Sequence, residues 1–148
     1  MSLSLGMGLG LPMQRGDSGP PELISNGKFT TDVSGWSAIV PSTIAWNPLG
    51  HMDVTVGGPP SGAYTTFTTE IGKTYRAVAT SLVVAGSHLL RVGNGGTPDA
   101  GLGSSTATVV PTEHTIDFVA TGTTSYVYLR AATAGLYTWD DVSVKLVL

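Results

Sequence analysis

The sequence predicts an all-β domain, a sandwich or barrel of short strands, carried behind an apolar N-terminal arm. Segments rich in β-branched and aromatic residues recur along the chain, and turn signals of Gly, Pro, Asn and Ser separate them. No segment shows a 3.6-residue apolar period, so little helix is expected. The 148 residues suit one domain with a sizeable core.

The chain opens with "SLSLGMGLGL", residues 2–11, in which Leu3, Leu5, Met7, Leu9 and Leu11 alternate with Ser or Gly. That is the pattern of a strand with one buried face. Extended, it reaches about 33 Å. Burying its five large side chains is worth roughly 7–15 kcal/mol, while ordering its backbone costs a comparable ~10–20 kcal/mol. The arm is therefore expected to order only by docking on an edge strand of another subunit or by winding with copies of itself. Residues 12–21, "PMQRGDSGPP", form a Pro/Gly linker, and residues 22–148 form the domain.

Within the domain the strand candidates are "MDVTV" (52–56), "AYTTFTT" (63–69), "TYRAVATSLVV" (74–84), "HLLRV" (88–92), "HTIDFVA" (114–120), "SYVYLRA" (125–131) and "YTWDDVSVKLVL" (137–148). The turns are "VGGPPSG" (56–62), "EIGK" (70–73), "GNGGTPDAG" (93–101) and "ATGTTS" (120–125). In the last strand, uninterrupted alternation places Val142, Val144 and Leu146 on one face with Asp140, and Asp141 opposite. Trp36, Tyr75, Phe118, Val142 and Val144 are the predicted core.

Composition excludes several functions. Charged residues are 11% of the chain, against about 25% in ordinary domains. A net charge of −3 without a basic cluster argues against nucleic-acid binding. No apolar run reaches the roughly 20 residues of a membrane span. The absence of cysteine removes disulfides and thiolate metal sites.

Motifs that suggest chemistry have plainer readings. "RGDSGP" (15–20) contains both an integrin-like triplet and a protease-like Gly-Asp-Ser-Gly, but it lies in the linker, and the first histidine, His51, follows Ser18. His51, His88 and His114 sit on separate segments without metal-ligand spacing and are expected at the surface or at edges. Asp140 and Asp141, as strand neighbours, cannot flank one bond at the roughly 5–9 Å that glycoside hydrolysis requires. "VGNGGTPDAG" has no Lys and no following helix for a phosphate. No catalytic constellation, cofactor site or metal site is expected.

Three stretches, in order, carry a resemblance. "ELISNGKFTTDVSGWSA" (22–38), "IGKTYRAVATSLV" (71–83) and "TWDDVSVKLV" (138–147) resemble the opening, a middle strand and the closing strand of the jelly-roll carbohydrate-binding modules of families four and nine. The resemblance covers residues 22–148 and implies a galactose-binding-like jelly-roll β-sandwich. The layout of arm, linker and domain also resembles small structural proteins of tailed phages and gene-transfer particles. Many such modules hold a structural calcium near the position of Asp141, but Lys28 and Thr30 stand where acidic residues are common.

The resemblance implies glycan binding through aromatic faces, and Trp46, Tyr64, Tyr126, Tyr128 and Trp139 are candidates by type. On "SYVYLRA", Tyr126, Tyr128 and Arg130 share one face and Val127 and Leu129 the other. With the aliphatic pair inside, Tyr126, Tyr128 and Arg130 are expected as an exposed glycan-binding stripe. The expected function is a non-catalytic virion structural protein, a capsid-decoration, head-fibre or tail-associated subunit. It would dock to other virion subunits through residues 2–11, form a homo-oligomer, and present the jelly roll to cell-surface polysaccharide. The alternative is a bacterial carbohydrate-binding module without an assembly role.

Overall fold

Ten strands and no helix make up the described residues of the computed structural model, which are 19–58, 61–94 and 101–148. The arm, with Leu3, Leu5, Met7, Leu9 and Leu11, lies outside them, as does the linker up to Ser18. The strands are β1 (Ser37–Ile39), β2 (Thr43–Asn47), β3 (His51–Val56), β4 (Ser61–Thr68), β5 (Thr74–Val83), β6 (His88–Gly93), β7 (Gly101–Ala107), β8 (Thr112–Val119), β9 (Thr124–Ala131) and β10 (Gly135–Leu146).

They form two five-stranded sheets, ordered β1-β4-β9-β6-β7 and β2-β3-β10-β5-β8, with every pairing antiparallel. From β3 to β6 and from β7 to β10 the chain changes sheet at each connection, so the last two strands become the two central ones. This is the predicted jelly-roll sandwich.

Alternation decides which face each strand buries. Val127 and Leu129 of β9, Leu90 and Val92 of β6, Tyr75, Ala77 and Ala79 of β5, and Ile116 and Phe118 of β8 all point between the sheets. Each fully buried Val, Leu or Phe is worth about 1.5–3 kcal/mol. The predicted core residues Trp36, Tyr75, Phe118, Val142 and Val144 are all buried.

The last strand departs from simple alternation. Asp140 pairs with Thr80 but Ser143 pairs with Val78, so β10 carries one residue more than β5 across this interval. Asp141, at φ 53°, sits within this bulge. The extra residue switches parity: Tyr137 and Trp139 face the core before it, Val142 and Val144 after it. Asp140 therefore does not share the core face with the valines, as uninterrupted alternation requires. It lies on the outer side, where His51 Nδ1 meets its carboxylate at 3.0 Å.

The opening segment is clamped onto this bulge. Leu23 N–H donates to the Val144 carbonyl, Val142 N–H donates to the Gly27 carbonyl, and the Glu22 carboxylate accepts from Val144 N–H at 2.8 Å. A Cβ on Gly27 would fall 1.9 Å from the Val142 carbonyl oxygen, so only glycine fits there. The Asn26 amide ties the carbonyls of Asp32 and Ser34, and Trp36 Nε1 donates to the Asn26 carbonyl. The "NG…F…GW" and "DDVSV" stretches are thus two halves of one structural latch.

Candidate functional site

The outer face of the first sheet gathers the aromatic residues that the core leaves out. On β9 the row is Tyr126, Tyr128 and Arg130, facing away from Val127 and Leu129. Register sets its neighbours: Tyr64 of β4 and Arg91 of β6 flank Tyr128, while Thr66 and Gly93 flank Tyr126. The Tyr126 and Tyr128 rings lie nearly parallel, 11° apart in plane with centroids at 5.7 Å. Tyr64 completes a triangle at 6.0 Å from Tyr126 and 6.2 Å from Tyr128.

Sequence reasoning placed Tyr126, Tyr128 and Arg130 on one outward face, and the structure does the same. It does not leave all three exposed. Tyr128, flanked by the Tyr64 ring and Arg91, is 3% exposed, and Arg130, between Gly62 and Leu89, is 5% exposed. Tyr64 and Tyr126 are half-buried and present the accessible rings. Burial, above all, pushes the Tyr128 phenol up from its ordinary pKa, the nearby Tyr126 and Tyr64 adding to the rise. Tyr64 and Arg91 join the row only through strand pairing, which no short-range pattern reveals.

A pair of glycines shapes one side of this face. Gly93 of β6 stands opposite Gly101 of β7, and a Cβ on Gly101 would meet Arg91 Nε at 2.7 Å and Nη2 at 2.8 Å. The Arg91 side chain therefore lies across Gly101. Outward hydroxyls of Thr66, Thr124 and Ser104 surround the plate and are exposed. Apolar ring faces beside hydroxyl and guanidinium donors suit sugars, which pair C–H faces with polar edges.

The other candidates go elsewhere. Trp139 is 1% exposed and packs against both His88 and His114, so it is a core residue. Trp46, half-exposed, donates from Nε1 to the Phe29 carbonyl at 2.8 Å and covers the opening segment. A separate cavity of about 280 Å³, lined by Leu23, Thr68, Glu70, Tyr75 and Leu146 among others, opens where the chain enters the domain; none of the three tyrosines of the plate lines it.

Two histidines overturn the surface expectation. His88 and His114 are buried between the sheets, at 0% and 1% exposure, with rings 5.2 Å apart. The parity signal was available: His88 shares a face with Leu90 and Val92, and His114 with Ile116 and Phe118. Their polar atoms are satisfied internally. The Gly86 and Ser105 carbonyls accept from the two Nδ1 atoms at 3.2 and 3.0 Å, and the Ser81 hydroxyl sits 2.8 Å from His88 Nε2 and 3.4 Å from His114 Nε2. Burial lowers both pKa values, and for His114 a charge on His88 would lower it further.

The donor set near Asp141 does not fit the structural calcium of the resembled modules. Lys28 Nζ lies 2.9 Å from the Asp141 carboxylate, placing an ammonium where a cation would sit. Asp32 is committed to the Ser34 N–H and hydroxyl and the Asn26 amide, which hold its carboxyl below the usual range. Among the described residues no group of three or more His, Cys, Asp or Glu could hold a metal ion.

No protein-family model and no curated protein matches the sequence. Solved structures do. A CBM4 module superposes with a TM-score of 0.65 at 16% identity, over 84% of this chain and 99% of its own. The fold is the jelly-roll sandwich of carbohydrate-binding modules. The second N-terminal cellulose-binding domain of Cellulomonas fimi β-1,4-glucanase C is similar at TM-score 0.64 and 21% identity, over 89% and 97% of the two chains. The enzymatically active domain of tailspike protein 4 from bacteriophage CBA120 shares 12% identity at TM-score 0.60; 85% of this chain matches 21% of that one.

Proposed function

We propose that this domain is a non-catalytic glycan-binding module whose ligand lies on the outer face of the first sheet. The observation that carries the reading is the Tyr64–Tyr126–Tyr128 plate, three rings within 6.2 Å of one another on one face of a carbohydrate-module sandwich. Tyr64 and Tyr126 supply the accessible stacking surface, Tyr128 holds them in place from beneath, and Arg91 with the bordering hydroxyls supplies polar contacts. Affinity electrophoresis through a panel of neutral and acidic polysaccharides tests it. Tyr126→Ala should weaken binding at least about tenfold, equivalent to ~1.4 kcal/mol, with an unchanged circular dichroism spectrum. A parent protein that binds no glycan, or a Tyr126→Ala variant that binds as well, refutes the reading.

A second reading concerns where the module is displayed. The alternating arm, Leu3 to Leu11, supports docking to other subunits of a virion, with the jelly roll turned toward host-surface polysaccharide. A free module without an assembly role is the alternative, since the likeness to a tailspike domain is one of fold alone. Mass spectrometry of purified particles, asking whether this chain is present and in what copy number, decides between them.

A further inference from the structure

We propose that the ligand of the first sheet's outer face is an acidic polysaccharide, one whose repeating unit carries a carboxylate. The inference rests on the glycan-binding reading and deepens it. Its first ground is where the charges fall. The chain is net negative at −3, yet no described carboxylate occupies an outward position of the first sheet. Of the described carboxylates, Asp53, Glu113, Asp117 and Asp140 belong to the second sheet, and Glu22, Asp32, Glu70 and Asp141 to the opening segment, the β4–β5 turn and the β10 bulge. Arg91 and Arg130 both belong to the tyrosine face.

The second ground is placement. Tyr128 has Arg91 directly across on β6 and Arg130 two residues along β9. Both guanidiniums act on the Tyr128 hydroxyl, opposing the rise that burial imposes. Each already interacts with other groups of the fold. Arg91, half-buried, lies with its Nε and Nη2 across Gly101 and carries the planar guanidinium that pairs with carboxylates. Arg130, 5% exposed, adds charge from beneath, where water screens it less. A neutral chain would meet the guanidiniums as hydrogen-bond donors only; a uronate also draws on their charge.

The full chain should be titrated calorimetrically with polygalacturonate, alginate and glucuronoxylan, each beside its carboxyl-reduced counterpart, and with dextran sulfate. At least one uronate polymer is expected to bind about tenfold or more tighter than its reduced form. That preference should shrink as ionic strength rises from about 0.02 to about 0.5 M. Arg91→Gln should abolish it and Arg91→Lys should retain part, both with the parent's melting temperature. Equal binding of reduced and native polymers overturns the inference and leaves the glycan reading standing. Binding of dextran sulfate alone overturns it as mere attraction of polyanions. If no polymer binds, and none of the neutral panel does, both fall together.

Discussion

Replacing Val144 by Asp tests which face of β10 lies against the core. Val144 has no solvent exposure, pairs with Ala77 and lies on the core side of the strand. The substitution forfeits the burial of a valine, about 1.5–3 kcal/mol. It also puts a carboxylate into an apolar layer, where the group protonates rather than stay charged. Starting from an ordinary carboxyl pKa, protonation at pH 7 costs about 4 kcal/mol, and the neutral acid then lacks a partner, a further ~1–3 kcal/mol. The total, roughly 6–10 kcal/mol, rivals the ~5–15 kcal/mol stability of a typical domain. Urea unfolding followed by the fluorescence of the buried Trp36 and Trp139 measures it. The variant should be largely unfolded at pH 7, and its deficit relative to the parent should narrow by about 1.4 kcal/mol per pH unit on acidification. Lys145→Asp, one residue on and exposed, should cost no more than about 0.5 kcal/mol. A loss below about 1 kcal/mol for Val144→Asp, or a larger loss at Lys145, would refute the placement of Val144 on the core face.

The remaining predictions concern acid and the arm. His88 and His114 are held neutral in the folded state by burial, while in the unfolded chain they take up protons below about pH 6.5. Their stabilising effect is therefore complete above that pH and is lost as pH falls toward their lowered folded values, so the melting temperature should drop between pH 7.5 and 5.5; a flat profile over that window contradicts the buried pair. Deleting residues 1–18 keeps the Glu22 clamp on Val144 and should leave the melting temperature essentially unchanged while abolishing self-association and particle incorporation. Light scattering on the truncated chain checks this, and an unaltered oligomer or a failure to fold defeats the docking-arm reading.

The sequence by itself determined the fold class, because a period of two needs only local information. Val127 and Leu129 had to face one way and Tyr126, Tyr128 and Arg130 the other, and they do. The same period would have placed His88 and His114 inside, had their parity been weighed above the usual preference of histidine for the surface. Three strands carried no such signal. β1 has only three residues, β2 interleaves polar and apolar residues unevenly, and β7, "GLGSSTA", is an edge strand with little to bury. The bulge at Asp141 was also illegible, since one inserted residue is visible only against the partner strand that lacks it.

What only the tertiary structure decided is which outward residues become a site. Tyr64, Arg91 and Tyr128 are far apart in sequence and meet because β4 and β6 both pair with β9. Exposure followed the same cause. Tyr128 and Arg130 were turned outward by their own strand, yet within the sheet both are buried, Tyr128 between Tyr64 and Arg91 of the two strands beside it. Alternation along one strand tells a residue which way to point. Whether it meets solvent depends on neighbours that long-range hydrogen bonding brings alongside.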